Sequence, residues 1–210
     1  MAKQFAGFDD DHRALIAAAP LFFVATAAAT GRVNLSPKGM DSLRVTGPNS
    51  LVWLNLTGSG NETAGHLRLD PRMTVMWCGF GRRPVILRAY GTARALHPRD
   101  AGFAERASLF GPQAGARQVV DMAVEMVQTS CGFAVPMADD WQPRDTLARW
   151  AEAEGASSAL PSTAGAALAG WVRAEPSAAP VCAPLSPPLL VAQPAPTSSD
   201  AKIHGPAHLP

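Results

Sequence analysis

Residues 51–69, LVWLNLTGSGNETAGHLRL, restrict the folds open to this chain. Leu51, Val52, Trp53, Leu54 and Leu56 form a short apolar run of strand character, broken by Thr57-Gly58-Ser59-Gly60. The pattern then restarts as a helix at Asn61-Glu62-Thr63, where Ser59 and Asn61 are good N-cap types and Glu62 places negative charge in the first turn. Two glycines permit backbone conformations that a side chain would forbid. A strand, a glycine-rich loop and a helix N-terminus together can aim backbone N–H groups at a phosphate. The expectation is that this loop holds the phosphate of a cofactor. Two familiar phosphate motifs do not apply. The dinucleotide fingerprint needs a third glycine where Thr63 stands, and no Lys follows the loop as in a P-loop.

The bulk numbers exclude several function classes. A chain of 210 residues, 47% hydrophobic and 17% charged, suits one compact domain with an appendage. Its formal net charge of +1 provides no basic field for nucleic acid or an anionic membrane, so neither is expected as a partner. Cys78, Cys131 and Cys182 lie far apart without CxxC spacing, which points to a reducing cytoplasm rather than a disulfide framework. The apolar run 14–29 follows Asp9, Asp10 and Asp11 instead of a basic segment, and Pro20 divides it. It reads neither as a secretory signal nor as a membrane span. The five histidines have no metal spacing with each other or with the cysteines.

Taken in order, residues 8–19 read as a helix capped by Asp9–Asp11 and ended by Pro20. LFFVATAA (21–28) is a buried strand, Thr30-Gly31 a hairpin turn, and RVNLSPK (32–38) the returning strand. On that strand Val33 and Leu35 share one face, and Asn34, Ser36 and Lys38 the other. A short run at Leu43–Val45 precedes the turn Gly47-Pro48-Asn49 and the strand of the glycine loop. RMTVMWCGF (72–80) and VILRAYGTARAL (85–96) are two further strands, the second with a bulge or kink at Gly91. Ile86, Arg88 and Tyr90 share a face there. Residues 98–110 look helical, and 144–154 form a last helix with Leu147 and Trp150 inward. Residues 119–131 fit a strand or a helix almost equally well. Beyond Gly155 lie ten of the 19 prolines among long runs of Ala and Ser, which read as a flexible tail over 155–210 attached to a domain over 1–154.

Short strands joined by hairpins favour a barrel. The segments FFVATAAATGRVNLSPKG (22–39), LVWLNLTGSGNETAGHL (51–67), DPRMTVMWCGF (70–80), ILRAYGTARAL (86–96) and VQTSCGFAVP (127–136) stand in an order and spacing that resembles the pyridoxamine 5′-phosphate oxidase-like family of FMN-binding split barrels. The resemblance implies a mainly β protein with flanking helices, a six-stranded antiparallel Greek-key split β-barrel. It also implies a homodimer with FMN in a groove between subunits, and it tips 119–131 towards strand. Carried over residue by residue, it places Ser36, Lys38, Asn55, Thr57, Ser59, Asn61 and Thr63 near the flavin phosphate and ribityl chain, with Arg88 facing the same groove. The chain departs from the pattern in one respect. The family has a Lys or Arg after the loop, where this chain has Glu62 and Thr63, so Lys38 or Arg88 must supply the phosphate's counter-charge. The pyridoxal phosphate-binding residues of the true oxidase find no match, and vitamin B6 oxidation is not predicted.

The resulting expectation is a cytoplasmic FMN-dependent oxidoreductase acting on a small molecule. The flavin carries the chemistry and no side chain serves as a nucleophile. The alternatives are a non-catalytic flavin- or haem-binding protein and a deazaflavin-dependent reductase on the same fold. His66, on the helix after the loop, reads as structural, and Cys131 reads as a small buried residue at a strand end.

Overall fold

The computed structural model describes residues 2–58 and 60–154; Ser59 and the Pro-rich segment 155–210, with the readings made for them, lie outside the described residues. The chain opens with strand β1 (Lys3–Phe5) and helix α1 (Asp10–Ala18). The Asp9 side chain caps α1 by accepting from the His12 backbone N–H at 2.9 Å, and the His12 ring accepts in return from the Asp9 N–H at 3.2 Å. Strands β2 (Phe22–Thr26) and β3 (Asn34–Lys38) follow, then β4 (Leu43–Gly47), β5 (Ser50–Leu56) and the short helix α2 (Glu62–Leu67). The remainder comprises β6 (Arg72–Cys78), β7 (Val85–Leu96), helix α3 (Phe103–Ala107), β8 (Ala116–Cys131) and helix α4 (Thr146–Ala153). Among the described residues no helix is long and apolar enough to cross a membrane.

All ladders are antiparallel, and the strands run in the order β3-β2-β6-β7-β8-β5-β4. β8 is the spine. It pairs with β7 along one side, and on the other with β5 over its first half and with β1 near its end. This settles 119–131 as strand: Val119, Val120, Met122, Val124 and Val127 are buried by neighbours on both sides. The class is the one the resemblance implies, with eight strands rather than six. β1 has no counterpart in the sequence reading, because three residues carry too little periodicity to register.

The sheet curls around an inner core of Phe22, Val24, Leu51, Trp53, Val75, Trp77, Leu87, Ala89, Val120 and Met122. Trp77 is 1% exposed and Trp53 2% exposed, and Phe22 meets Trp53 edge-on with ring centroids 6.2 Å apart. A smaller cluster of Val52, Leu54, Phe110 and Val119 packs the other face of β5. No ladder joins the edge strands β3 and β4 among the described residues, so the barrel is split there. Four residues, 39–42, carry the chain from one edge to the other. Met40 and Asp41 within that link adopt the left-handed conformation (φ 61° and 52°), and the Ser42 carbonyl accepts from Leu54 N–H at 2.8 Å.

Two local expectations change, and one left open is decided. Along 33–38 the alternation is as read, and the structure supplies its sense: Val33 (73% exposed) and Leu35 (63%) face outward, while Asn34 (8%) turns in. The helix expected over 98–110 contracts to Phe103–Ala107, because Gly102 at φ 86° interrupts the first turns. In α4 the inward residue is Ala151, whereas Trp150 is 46% exposed. The bulge at Gly91 is present, as a register shift between Tyr90 and Gly91.

Candidate functional site

Period-two alternation decides which side chains meet inside the split. β2 and β3 pair as Phe22↔Lys38, Val24↔Ser36 and Thr26↔Asn34, so Asn34, Ser36 and Lys38 share the inner face with buried Val24. Across the interior, β5 and β8 pair as Leu51↔Met122, Trp53↔Val120 and Asn55↔Gln118. The inner surface therefore passes from apolar to polar at one end, and α2 lies over that end. The Lys38 ammonium sits above the Trp53 ring, 5.2 Å from its centroid.

The neutral polar groups there are paired. Asn55 Nδ2 donates to Gln118 Oε1 at 2.9 Å and to Asn61 Oδ1 at 3.0 Å, tying the loop to the sheet. Asn34 Nδ2 donates to Thr63 Oγ1 at 3.1 Å, and Thr26 Oγ1 lies 3.1 Å from His66 Nδ1. These bonds dock α2, and His66 is structural, as read. Thr57 is buried, and its backbone N–H donates to the Gly115 carbonyl at 2.6 Å.

The charged groups are different. Burial pushes the Lys38 ammonium below its ordinary 10.5; Glu62 partly offsets this, and the Arg117 guanidinium adds to it. Burial likewise lowers Arg117, with Glu62 opposing. Arg117 Nη2 donates to the Gly60 carbonyl at 3.0 Å, but among the described residues its buried Nε has no partner, and neither has the buried Ser36 Oγ. Among the described residues neither cation has a carboxylate within ion-pair distance. Two partly desolvated cations and an unsatisfied hydroxyl form a donor set suited to an anion.

The expected residues are thus brought together in part. Asn55 and Asn61 are bonded to each other, Thr63 is held by Asn34, Lys38 lies within electrostatic reach of Glu62 and Arg117, and Ser36 shares the inner face of β3 with Asn34 and Lys38. Thr57 lies beside them with its N–H already committed, and Ser59 falls outside the described residues. Arg88 stands apart, because Ala89 faces the core and its neighbour must therefore face out. Arg88 Nη1 donates to Ser130 Oγ at 3.1 Å, on the opposite face from Lys38 within one chain. Arg117 is a second partly buried cation, within electrostatic reach of Lys38. It escaped the sequence reading because it precedes the segment whose element type was undecided, so no face could be assigned to it. The supposed anion-binding helix end also changes character. α2 has six residues, and Asn61 makes no capping bond, its side chain being turned to Asn55 instead. Side-chain cations, rather than a helix terminus, carry the positive charge.

Two cavities lie elsewhere. One of about 380 Å³ is bordered by α1, β2 and β4 and lined by Arg13, Phe22, Leu43, Arg44 and Trp77. Another of about 530 Å³ is lined by Pro71, Arg94, Arg106 and Asp121. Their cations are largely neutralised: Arg44 pairs with Asp41 at 2.7 Å, and Arg94 and Arg106 with Asp121 at 3.2 and 3.5 Å. The polar end of the split is therefore the better candidate for a charged ligand. Cys131, expected buried, is exposed, and Cys78 is half-buried with its thiol pushed up by burial.

Comparison with known proteins bears on the same region. The profile of the pyridoxamine 5′-phosphate oxidase family matches residues 8–131. A pyridoxamine 5′-phosphate oxidase family protein of Aspergillus flavus, ustO, is 42% identical over 126 residues, covering 57% of this chain and 50% of its own. The chain thus spans about half the length of that curated relative. Among solved structures, a variant of HupZ from Group A Streptococcus aligns at 21% identity and TM-score 0.47, covering 58% of this chain and 98% of that one. A Lactobacillus delbrueckii protein named for pyridoxamine 5′-phosphate oxidase aligns at 20% identity and TM-score 0.48, over 59% of this chain and 94% of that one.

Proposed function

This chain belongs to the pyridoxamine 5′-phosphate oxidase family, and on that premise we propose that it is an FMN-dependent oxidoreductase whose Lys38 and Arg117 hold the flavin phosphate. The observation that carries the reading is the pair of partly buried cations, with the Ser36 hydroxyl, unpartnered among the described residues, on the same face of β3 as Lys38. Holding positive charge out of water is unfavourable unless an anion repays it. Ser36 Oγ donates to the phosphate in this reading, while the Asn55–Asn61–Gln118 and Asn34–Thr63 bonds fix the loop and α2 around it. When bound, the flavin supplies hydride transfer at its ring, and the protein contributes position and charge.

The test is the absorption spectrum of the purified full chain, before and after incubation with excess FMN and gel filtration. A retained flavin spectrum that bleaches with NADH or NADPH without oxygen, and recovers in air, supports the reading. Retained flavin without bleaching leaves only a flavin carrier. A Soret band instead points to haem, and retention of a deazaflavin in preference to FMN points to that cofactor. A protein that stays colourless with FMN overturns the proposal.

Homodimerisation is part of the same reading. The outward Val33 and Leu35 lie on and beside an unpaired edge strand, where apolar exposure favours burial against a second copy. Sedimentation is expected to give twice the 22.0 kDa chain mass, and Leu35→Lys to shift it to one. A wild-type monomer would exclude the dimer.

A further inference from the structure

The cation pair is not bare. Glu62 opens α2 and folds back over the loop, so that its two carboxylate oxygens lie against Gly60 in the space a Cβ there would fill. Arg117 donates to the carbonyl of that same Gly60 at 3.0 Å. Carboxylate and guanidinium thus meet at one backbone position, and Lys38 also lies within the carboxylate's field. Yet Glu62 forms no ion pair within 4.0 Å with either cation among the described residues. It sits close enough to offset their charge without being locked to them.

We infer that the Glu62 carboxylate is a resident counter-anion, held over Gly60 in the ligand-free protein and displaced when a phosphate monoester enters between Lys38 and Arg117. This rests on the reading of those two residues as the phosphate's cations. Charge counting supplies the reason. Two cations and one carboxylate leave one net positive charge, which a phosphate dianion overruns. With Glu62 in place the dianion faces a like charge at short range in a partly desolvated recess. Swinging the side chain outward relieves that repulsion at little cost, since Glu62 is half-exposed and Gly60 offers no side chain to obstruct it. The arrangement lowers the desolvation penalty of the empty site and weakens the hold on the phosphate by a comparable amount.

The test compares FMN with riboflavin, which lacks the phosphate, by quenching of flavin fluorescence in wild type, Glu62→Gln and Lys38→Ala. Glu62→Gln is expected to bind FMN about five- to tenfold more tightly, as removal of one partly screened like charge allows. It should bind riboflavin as wild type does and, when ligand-free, melt at a lower temperature. Equal or weaker FMN binding by Glu62→Gln, with wild type still preferring FMN to riboflavin, overturns this inference alone. If wild type does not prefer FMN and Lys38→Ala changes nothing, the phosphate reading falls and takes the inference with it. Tighter binding of riboflavin and FMN alike by Glu62→Gln would also overturn it, because the effect would not be directed at the phosphate.

Discussion

The double variant Lys38→Ala/Arg117→Ala is expected to lose FMN affinity by about 10²- to 10⁴-fold. A hydrogen bond to a charged group contributes about 1.5–3 kcal/mol, and two such bonds vanish together. Equilibrium dialysis of FMN against wild type and variant measures this directly, and unchanged retention would remove both residues from the site. Both cations are partly buried, and a single half-exposed carboxylate, Glu62, offsets that burial only in part. The pH dependence follows from the same burial. Lys38 titrates below 10.5 in the folded chain, so between that lowered value and 10.5 the unfolded chain still holds a proton that the folded chain has released. Stability of the ligand-free wild type therefore gains a rising contribution with pH across that window, and at lower pH the full penalty of burying the ammonium remains. Urea titrations at several pH values should show the slope in wild type and a smaller one in Lys38→Met.

The largest expected effect on stability is at Gly91. A Cβ there would run into the Ala123 carbonyl oxygen of β8, with the Ala123 carbonyl carbon at 3.0 Å and Val124 Cα at 3.1 Å. These are backbone atoms of the central strand and have no rotamer to retreat into. Gly91→Ala must therefore push β7 away from β8 at the bulge where the register shifts. Overpacking against fixed backbone costs about 3 kcal/mol or more, enough to unfold a marginally stable domain. Gly81→Ala is the control: its Cβ meets nothing within 4 Å, and the change should stay within about 0.5 kcal/mol. Chemical denaturation of the two variants side by side decides the matter. Equal midpoints would mean that β7 and β8 can part at this point without loss.

The strands and hairpins were legible because their signals are local. β2 and β3 pair as the expected hairpin, although seven residues, 27–33, join them rather than a tight turn at Thr30-Gly31, and Phe22, Val24 and Thr26 alternate inward as their order requires. What could not be read is set by the partner across the interior. β3 alternates cleanly, but nothing within RVNLSPK says that its polar face is the inner one. That depends on Thr63 and Trp53 waiting opposite. Arg117 was missed for a related reason: its face is defined only once β8 is known to pair with β5. Arg88 lies on the other face of the sheet from Lys38 within one chain, since a shared sheet does not imply a shared side.

The link over residues 39–42 limits how the split can move. An extended chain covers about 3.5 Å per residue, so four residues keep the ends of β3 and β4 within roughly 17 Å of each other, and the left-handed pair at Met40 and Asp41 shortens that tether. The Ser42 carbonyl is also fastened to β5 through Leu54 N–H. The two edges of the split are consequently tethered at the Lys38 end of β3, which holds that residue at a fixed edge rather than on a free strand end.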